Sequence, residues 1–416
     1  MNSQSADFVI VGAGVVGLTL ARELVKRKLG RVLIIEKEDH VGAHASGRNS
    51  GVVHAGIYYP AGSMKAKFCV DGARRLLEYV DEHSLPILKC GKVIVATRPE
   101  NVTTLGTLLE RAKANGVEAE KISVDQLREY EPQAKTHEWA IWSPKTAVID
   151  SKAVLRKLSD EVKSLGAEIV FTNEIKKIDP AARVIESPKQ KWSYGFLFNT
   201  AGVYADRIAH PFGVGLNYRI MPFKGLYWKS SEEFSGKIRR LIYPAPDIGM
   251  PFLGVHITRT VDGKVLFGPT AIPAFGRENY SLLGGLDLLE SPSISWHLLK
   301  MLIRNPGNFR AYVREEMARY NPTNFYKEAK NLVQELKRSD IGDFYKVGIR
   351  AQLMDLTKGQ LEMDFVIKRG EKSLHVLNAI SPAFTSSFAF APYLVEQALE
   401  SPTALIENKT KELEHV

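Results

Sequence analysis

The feature that most constrains this chain is a glycine-rich turn set between two apolar runs near its start. Asp7 to Val11 is short and rich in β-branched residues, the pattern of a strand buried on both faces. Gly12-Ala13-Gly14-Val15-Val16-Gly17 follows, and then a helical period from Leu18 to Lys28 that stops at Gly30. Arg31 to Glu36 is a second buried-strand pattern. Strand, glycine turn, helix and strand make a βαβ unit of the dinucleotide-binding kind. Gly12 allows the tight turn, Gly14 lets a pyrophosphate approach the backbone, and Gly17 lets helix and strand pack closely. Val15 and Val16 open the helix, whose free N–H groups and positive dipole end suit phosphate. Glu36 follows Gly17 by 19 residues, the spacing of an acid that holds a ribose diol, and Lys37 stands beside it.

Distant segments decide between the dinucleotides. Phe198 to Asp206 places a buried strand before an Ala-Gly turn, offering Thr200, Ala201, Gly202 and Asp206 as a second cofactor segment. Gly166 to Ile175 resembles the strand pair whose backbone meets the adenine in FAD-binding folds, with Ile175 at its end. Ser381 to Ser387 opens a late helix, and Pro382, Ala383, Phe384, Thr385 and Ser386 lie where a helix N-terminus faces the flavin carbonyl that gains charge on reduction. Together these segments point to FAD rather than NAD.

Elsewhere, helices are expected over 66–82, 102–115 and 151–165, with a capped short helix from Ser123 to Arg128. Tyr218 to Thr270 alternates between short strands and Pro/Gly turns, which predicts an antiparallel sheet. Leu282 to Leu336 is mostly helical, with breaks near Pro292, Pro306 and Pro322. The fold class is α/β, α+β overall. A Rossmann-type FAD-binding domain is assembled from 1–80, 145–215 and 345–400, and a substrate domain of antiparallel sheet and helices from 81–144 and 216–344. Residues 401–416 read as a flexible charged tail.

The chain has 416 residues and a formal charge of +9. That excess is diffuse; it suits an anionic ligand and peripheral contact with an anionic membrane, not nucleic acid. The 2 cysteines, Cys69 and Cys90, form no CxxC motif, so no redox pair is expected and no metal site is called. No run reaches the roughly 20 apolar residues of a membrane span. The expected location is cytoplasmic, with peripheral contact at the inner face of the plasma membrane.

Ser46-Gly47-Arg48-Asn49-Ser50-Gly51-Val52-Val53-His54-Ala55-Gly56-Ile57-Tyr58-Tyr59 resembles the flavin-loop signature of L-2-hydroxyglutarate dehydrogenases and oxidases, within the D-amino-acid oxidase superfamily. Gly254 to Thr258 with Asp262 to Pro269, and Gly348 to Leu353, are similar to two further signatures of that family. The resemblance runs from about Asp7 to Leu399. It implies oxidation of L-2-hydroxyglutarate to 2-oxoglutarate, with FAD reduced and electrons passed to a quinone pool or oxygen. It also implies that Ser46, Arg48, Asn49, Ser50, Gly51 and Val52 hold the cofactor. Two positions depart from the family: Ala383 stands where glycine is usual, and Lys224 where arginine is common.

Such chemistry needs a base for the hydroxyl proton and cations for two carboxylates. His256 is read as the base and His54 as the second candidate. Arg350 leads the carboxylate ligands, followed by Lys224 and Arg259, and Tyr58 and Tyr59 are expected to cap the pocket. Two other readings stand beside this one: an amine oxidase of the glycine- or sarcosine-oxidase type, and a flavin-binding subunit without turnover.

Overall fold

The computed structural model describes residues 3–246, 253–281 and 284–400. The charged tail expected at 401–416, and Phe252 and Leu282 within the expected elements, lie outside those residues. Two large sheets carry the fold. In the first, Ser3–Val11 is central and pairs in parallel with Val32–Ile35 on one side and Lys191–Asn199 on the other. Glu168–Val170 extends one edge, and Ser373–Asn378 pairs in parallel with the end of Lys191–Asn199. Alternation gives this sheet two apolar faces: Ile10 joins the core under the helices, while Val9 and Val11 join the opposite one.

The helices Val15–Lys26, Met64–Glu82, Ser151–Ser164 and Ala383–Leu399 contribute Leu18, Leu76, Val154 and Leu394 to the first of these cores. Their starts are capped where the sequence supplies a cap. The Ser63 hydroxyl accepts from the Ala66 N–H at 3.1 Å, and the Asp150 carboxylate accepts from Lys152 and Ala153. At the expected short helix, Ser123 and Gln126 form a reciprocal capping box at the head of Val124–Tyr130.

The second sheet is mixed and mostly antiparallel. Tyr218–Ser230 pairs with Ile341–Asp355 along nearly its full length, and Val265–Gly268, His256–Arg259, Leu241–Pro244, Lys92–Val95 and Trp139–Ser143 follow in order. Val93, Ile242, Ile257 and Phe267 face outward into a core shared with Phe325 and Val333. By alternation and register, Lys92, Tyr243, His256 and Thr258 take the opposite, inner face. On the two long strands, Tyr227, Gly225 and Phe223 lie directly across from Lys346, Gly348 and Arg350.

This register corrects the expected domain boundary. Residues 345–355 belong to the substrate sheet, because their backbone is paired with Tyr218–Tyr227, and the return to the FAD-binding sheet comes with Val366–Gly370 and Ser373–Asn378. The strand that carries Arg350 therefore spans 15 residues rather than a short buried core. Along the chain, the helices Ser291–Arg304, Phe309–Arg319 and Pro322–Lys330 come between the two long strands Tyr218–Ser230 and Ile341–Asp355. Pro292 and Pro322 sit in first turns, where a missing N–H costs nothing, so these prolines start helices rather than interrupt them.

Candidate active site

A cavity of about 610 Å³ runs from the glycine turn to the inner face of the second sheet. Its first end is built as the sequence requires. Gly12 has φ +101°, and a side chain there would meet the Thr200 carbonyl oxygen at 2.8 Å. A Cβ on Gly17 would overlap the Gly12 carbonyl oxygen, so Gly17 packs behind the wall rather than lining it. Gly14, Val15 and Val16 line the cavity, and the Val15 N–H donates to the Ser46 hydroxyl at 3.0 Å. The Glu36 carboxylate faces the cavity while accepting from the N–H groups of Ala13 at 2.8 Å and Glu38 at 3.0 Å. Ile175, Thr200, Ala201 and Gly202 complete this end. Lys37 reaches it too, but its ammonium is tied to Glu38 and Glu278.

The loop 43–56 continues the wall. Ser46, Arg48, Asn49, Ser50, Gly51, Val52 and His54 all line the cavity. The loop is fixed from within: Asn49 donates to the Ser46 carbonyl at 2.7 Å and accepts from the Gly51 N–H at 2.8 Å. Arg48 donates to the Ala43 carbonyl and lies over the Tyr280 ring at 4.2 Å. Opposite stand Pro382, Ala383, Phe384 and Thr385, at the start of the helix Ala383–Leu399. Ala383 is helical there and needs no positive φ, so alanine in place of the usual glycine carries no backbone penalty. Thr385 accepts from the His54 N–H at 3.2 Å, joining this helix start to the loop.

The acids lining the cavity, Glu36 and Glu174, belong to the glycine-turn end, whereas Lys224 and Arg350 line the end under the second sheet. Arg350 is sheltered enough that desolvation lowers its pKa. Lys224 donates to Asn279 Oδ1 at 2.6 Å and to the Ser281 carbonyl at 3.0 Å, both neutral acceptors, so its charge is not cancelled there. Lys346, which the sequence did not single out, is largely buried and donates to the Asn49 carbonyl at 2.6 Å; burial lowers its pKa to about 8.

His54 and His256 come together at this end, within electrostatic reach of each other and of Arg350. Burial is the first cause that holds both neutral, His54 at about 3 and His256 at about 4, and neighbouring cations add to it. His54 is on the cavity wall; His256 lies behind it, tilted at 34° against Tyr243 with 4.1 Å between ring centres. The His256 Nδ1 sits 3.0 Å from the Gly254 carbonyl, which only accepts, so the neutral ring carries its proton on Nδ1 and keeps a lone pair on Nε2.

Five expected site residues are elsewhere. Asp206 is buried off the cavity, gripped by Arg277 and by the Ile220 N–H at 3.0 Å, so it braces the second cofactor segment instead of touching a ligand. Arg259 donates to the Arg239 carbonyl at 2.9 Å on the far side of its strand and is not a carboxylate ligand. Tyr58 and Tyr59 lie behind the wall rather than over its mouth, because the turn after His54 carries them beneath the sheet. Ser386 is buried behind Thr385, against Gly72. Lys92 was missed: it is buried at 1% exposure on the inner face, but at the head of the run KVIVAT a lysine reads as a solvated strand end.

Residues 7–397 match the FAD dependent oxidoreductase family. An L-2-hydroxyglutarate dehydrogenase of Indibacter alkaliphilus is 36% identical, covering 94% of this chain and 98% of that protein. Its mitochondrial counterpart in Caenorhabditis elegans is 37% identical over 94% and 93%, and that of Escherichia coli K12 is 33% identical over 94% and 92%. The chain is a member of the L-2-hydroxyglutarate dehydrogenase family of FAD-dependent oxidoreductases. Among solved structures, an L-alpha-glycerophosphate oxidase of Mycoplasma pneumoniae with FAD bound shares the fold, with a TM-score of 0.75 at 19% identity over 96% of both chains. Like other family members, this protein uses FAD, and the residues present fit that cofactor. The glycine cradle leaves no room for side chains, Glu36 stands at the ribose end, and the helix start at Ala383 faces the flavin loop. Among the described residues no helix is long and apolar enough to cross a membrane.

Proposed function

We propose that this FAD-dependent oxidoreductase oxidises L-2-hydroxyglutarate to 2-oxoglutarate and passes the electrons to a quinone or to oxygen. The observation that carries the reading is the cationic end of the cavity, where Arg350 and Lys224 line the wall, and two neutral histidines stand together. Bound FAD supplies the hydride acceptor. Arg350 takes the carboxylate next to the hydroxyl-bearing carbon, and Lys224 adds charge at the same end. A base must accept the hydroxyl proton near neutral pH, which requires an uncharged imidazole with a lone pair in a fixed place. We assign this base to His256, whose tautomer the Gly254 carbonyl sets and which stands behind the wall that His54 lines. His54, bonded through its own N–H to Thr385, orders the wall against which the substrate lies. Gly225 and Gly348, directly paired on the two long strands, keep the sheet face low where substrate and cofactor must meet.

An amine oxidase shares this fold but would act on monocarboxylate amines, for which so many cations have no use. The test is turnover of the purified holoenzyme with a dye acceptor on L-2-hydroxyglutarate, D-2-hydroxyglutarate, glycerol 3-phosphate, glycine and sarcosine. Turnover on the L-hydroxy acid alone, with 2-oxoglutarate as product, supports the reading. Turnover confined to glycine or sarcosine replaces it with the amine-oxidase one.

A further inference from the structure

Behind His54 the inner sheet face and the turn at Tyr58 enclose a group of polar side chains that the reaction as described does not use. Lys92 is buried, and its ammonium lies 4.6 Å from the centre of the Tyr58 ring and 5.0 Å from that of Tyr243. Among the described residues no carboxylate pairs with it and no group accepts a hydrogen bond from it. The surroundings are as unusual. The Tyr58 hydroxyl and His54 Nδ1 are buried without a partner, and the Tyr243 hydroxyl has only that of Thr258 nearby, without a well-formed hydrogen bond between them. A lysine buried without a carboxylate partner, with only two aromatic faces beside its ammonium, is costly, and so is each unsatisfied hydroxyl. One ligand settles all of them at once: an anion with two oxygens, which accepts from Lys92 and from tyrosine hydroxyls together.

We propose that Lys92, with Tyr58 and Tyr243, is the subsite for the second, distal carboxylate of the substrate, reached past His54 because His54 lines the cavity and these three stand behind it, and that it makes the enzyme selective for dicarboxylate over monocarboxylate 2-hydroxy acids. This rests on the hydroxy-acid reading above. Arg350 and Lys92 then divide the two carboxylates between them, with the histidines between the two cations in the electrostatic sense, since both rings feel both charges. The neighbouring thiol does not compete, because burial pushes Cys69 up to about 12 and leaves it neutral. Without an anion, Lys92 itself is lowered by burial to about 7, and a bound carboxylate restores its proton.

The experiment compares the holoenzyme with its Lys92→Met and Lys92→Arg variants in anaerobic flavin reduction, using L-2-hydroxyglutarate and L-2-hydroxybutyrate, which lacks the second carboxylate. The expected result is a rise of about 10- to 100-fold in the concentration of L-2-hydroxyglutarate needed for half-maximal rate in K92M, with FAD content and limiting rate little changed. The monocarboxylate should respond alike in both proteins, so the discrimination between the two acids collapses, and K92R should recover part of it. A second readout is proton uptake: above pH 7, binding of glutarate, a dicarboxylate without the hydroxyl, should take up a proton in the wild type and none in K92M. Equal losses for both acids in K92M, or unchanged discrimination, would overturn the proposal and leave Lys92 a packing residue. If K92M does not hold FAD, Tyr243→Phe and K92R carry the same comparison. Should the wild type bleach with another dicarboxylate hydroxy acid instead, the substrate identity falls while the subsite stands; bleaching only with monocarboxylates removes both.

Discussion

Lowering the pH from 7.5 to 5.5 should destabilise this protein through histidines that are buried in their neutral form. Three are held far below the ordinary value of 6.5: His54 at about 3, His256 at about 4 and His375 at about 4, each chiefly by desolvation. His375 shows why a proton is unwelcome. Asn199 Nδ2 lies 3.2 Å from its Nδ1, and that amide is oriented by the Ala205 carbonyl at 2.7 Å, so Nδ1 must accept; Nε2 donates to the Ser373 hydroxyl at 3.0 Å. Above pH 6.5 neither the folded nor the unfolded chain carries these protons. Between 6.5 and the folded values only the unfolded chain does, so stability falls as pH falls through that window. One unit below 6.5 each histidine costs about 1.4 kcal/mol, hence about 4 kcal/mol for the three at pH 5.5. The buried Lys92, lowered to about 7, takes up its proton in the folded chain between pH 7.5 and 6, where the unfolded chain already holds it, so it adds about 1 kcal/mol to the same loss; Lys65 and Lys346, at about 8, add little over this range. Urea denaturation of the holoprotein at the two pH values, followed by tryptophan fluorescence, reads the loss. The His375→Asn variant isolates one contribution, since every other group is common to both proteins: its loss should be smaller by about 1.4 kcal/mol. Equal losses in wild type and variant would refute the reasoning.

Three further outcomes are expected. Gly12→Ala should yield protein without its yellow colour, since φ +101° and the Thr200 oxygen at 2.8 Å leave a methyl group no place; retained FAD, read by absorbance, would contradict this. Arg277→Met should cost about 3–5 kcal/mol by leaving the buried Asp206 and Glu290 without their shared cation, seen as a fall in Tm, and an unchanged Tm would count against it. His256→Asn should slow flavin reduction by about 10²- to 10⁴-fold at unchanged FAD content, with a smaller effect of His54→Asn; the reverse order would make His54 the base.

Much of the cofactor end was legible because its constraints are local. The turn from Gly12 to Gly17, the acid at Glu36 and the helix start at Ala383 each follow from the few residues around them. The substrate end was legible only in part, because it is made by strand register across distant segments. Arg350 was found from a cation in a buried strand, yet the same strand's membership of the second sheet was not, since pairing with Tyr218–Ser230 leaves no mark within residues 345–355. Asp206 was misread because an acid after an Ala-Gly turn serves a buried arginine, Arg277, that lies 71 residues away. Lys92 escaped because charge at a strand end ordinarily faces water, and here Tyr58 and Tyr243 close over it. The resemblance of the loop from Ser46 to Tyr59 carried what spacing does not.

The central claim is that this cavity joins FAD to a dicarboxylate hydroxy acid. Anaerobic mixing of the yellow holoenzyme with L-2-hydroxyglutarate, followed by flavin absorbance in a single turnover, tests it most directly. The account predicts rapid bleaching by the L-isomer with one 2-oxoglutarate formed per flavin, and none with the D-isomer. A flavin that stays oxidised with L-2-hydroxyglutarate but bleaches with an amino acid would contradict it.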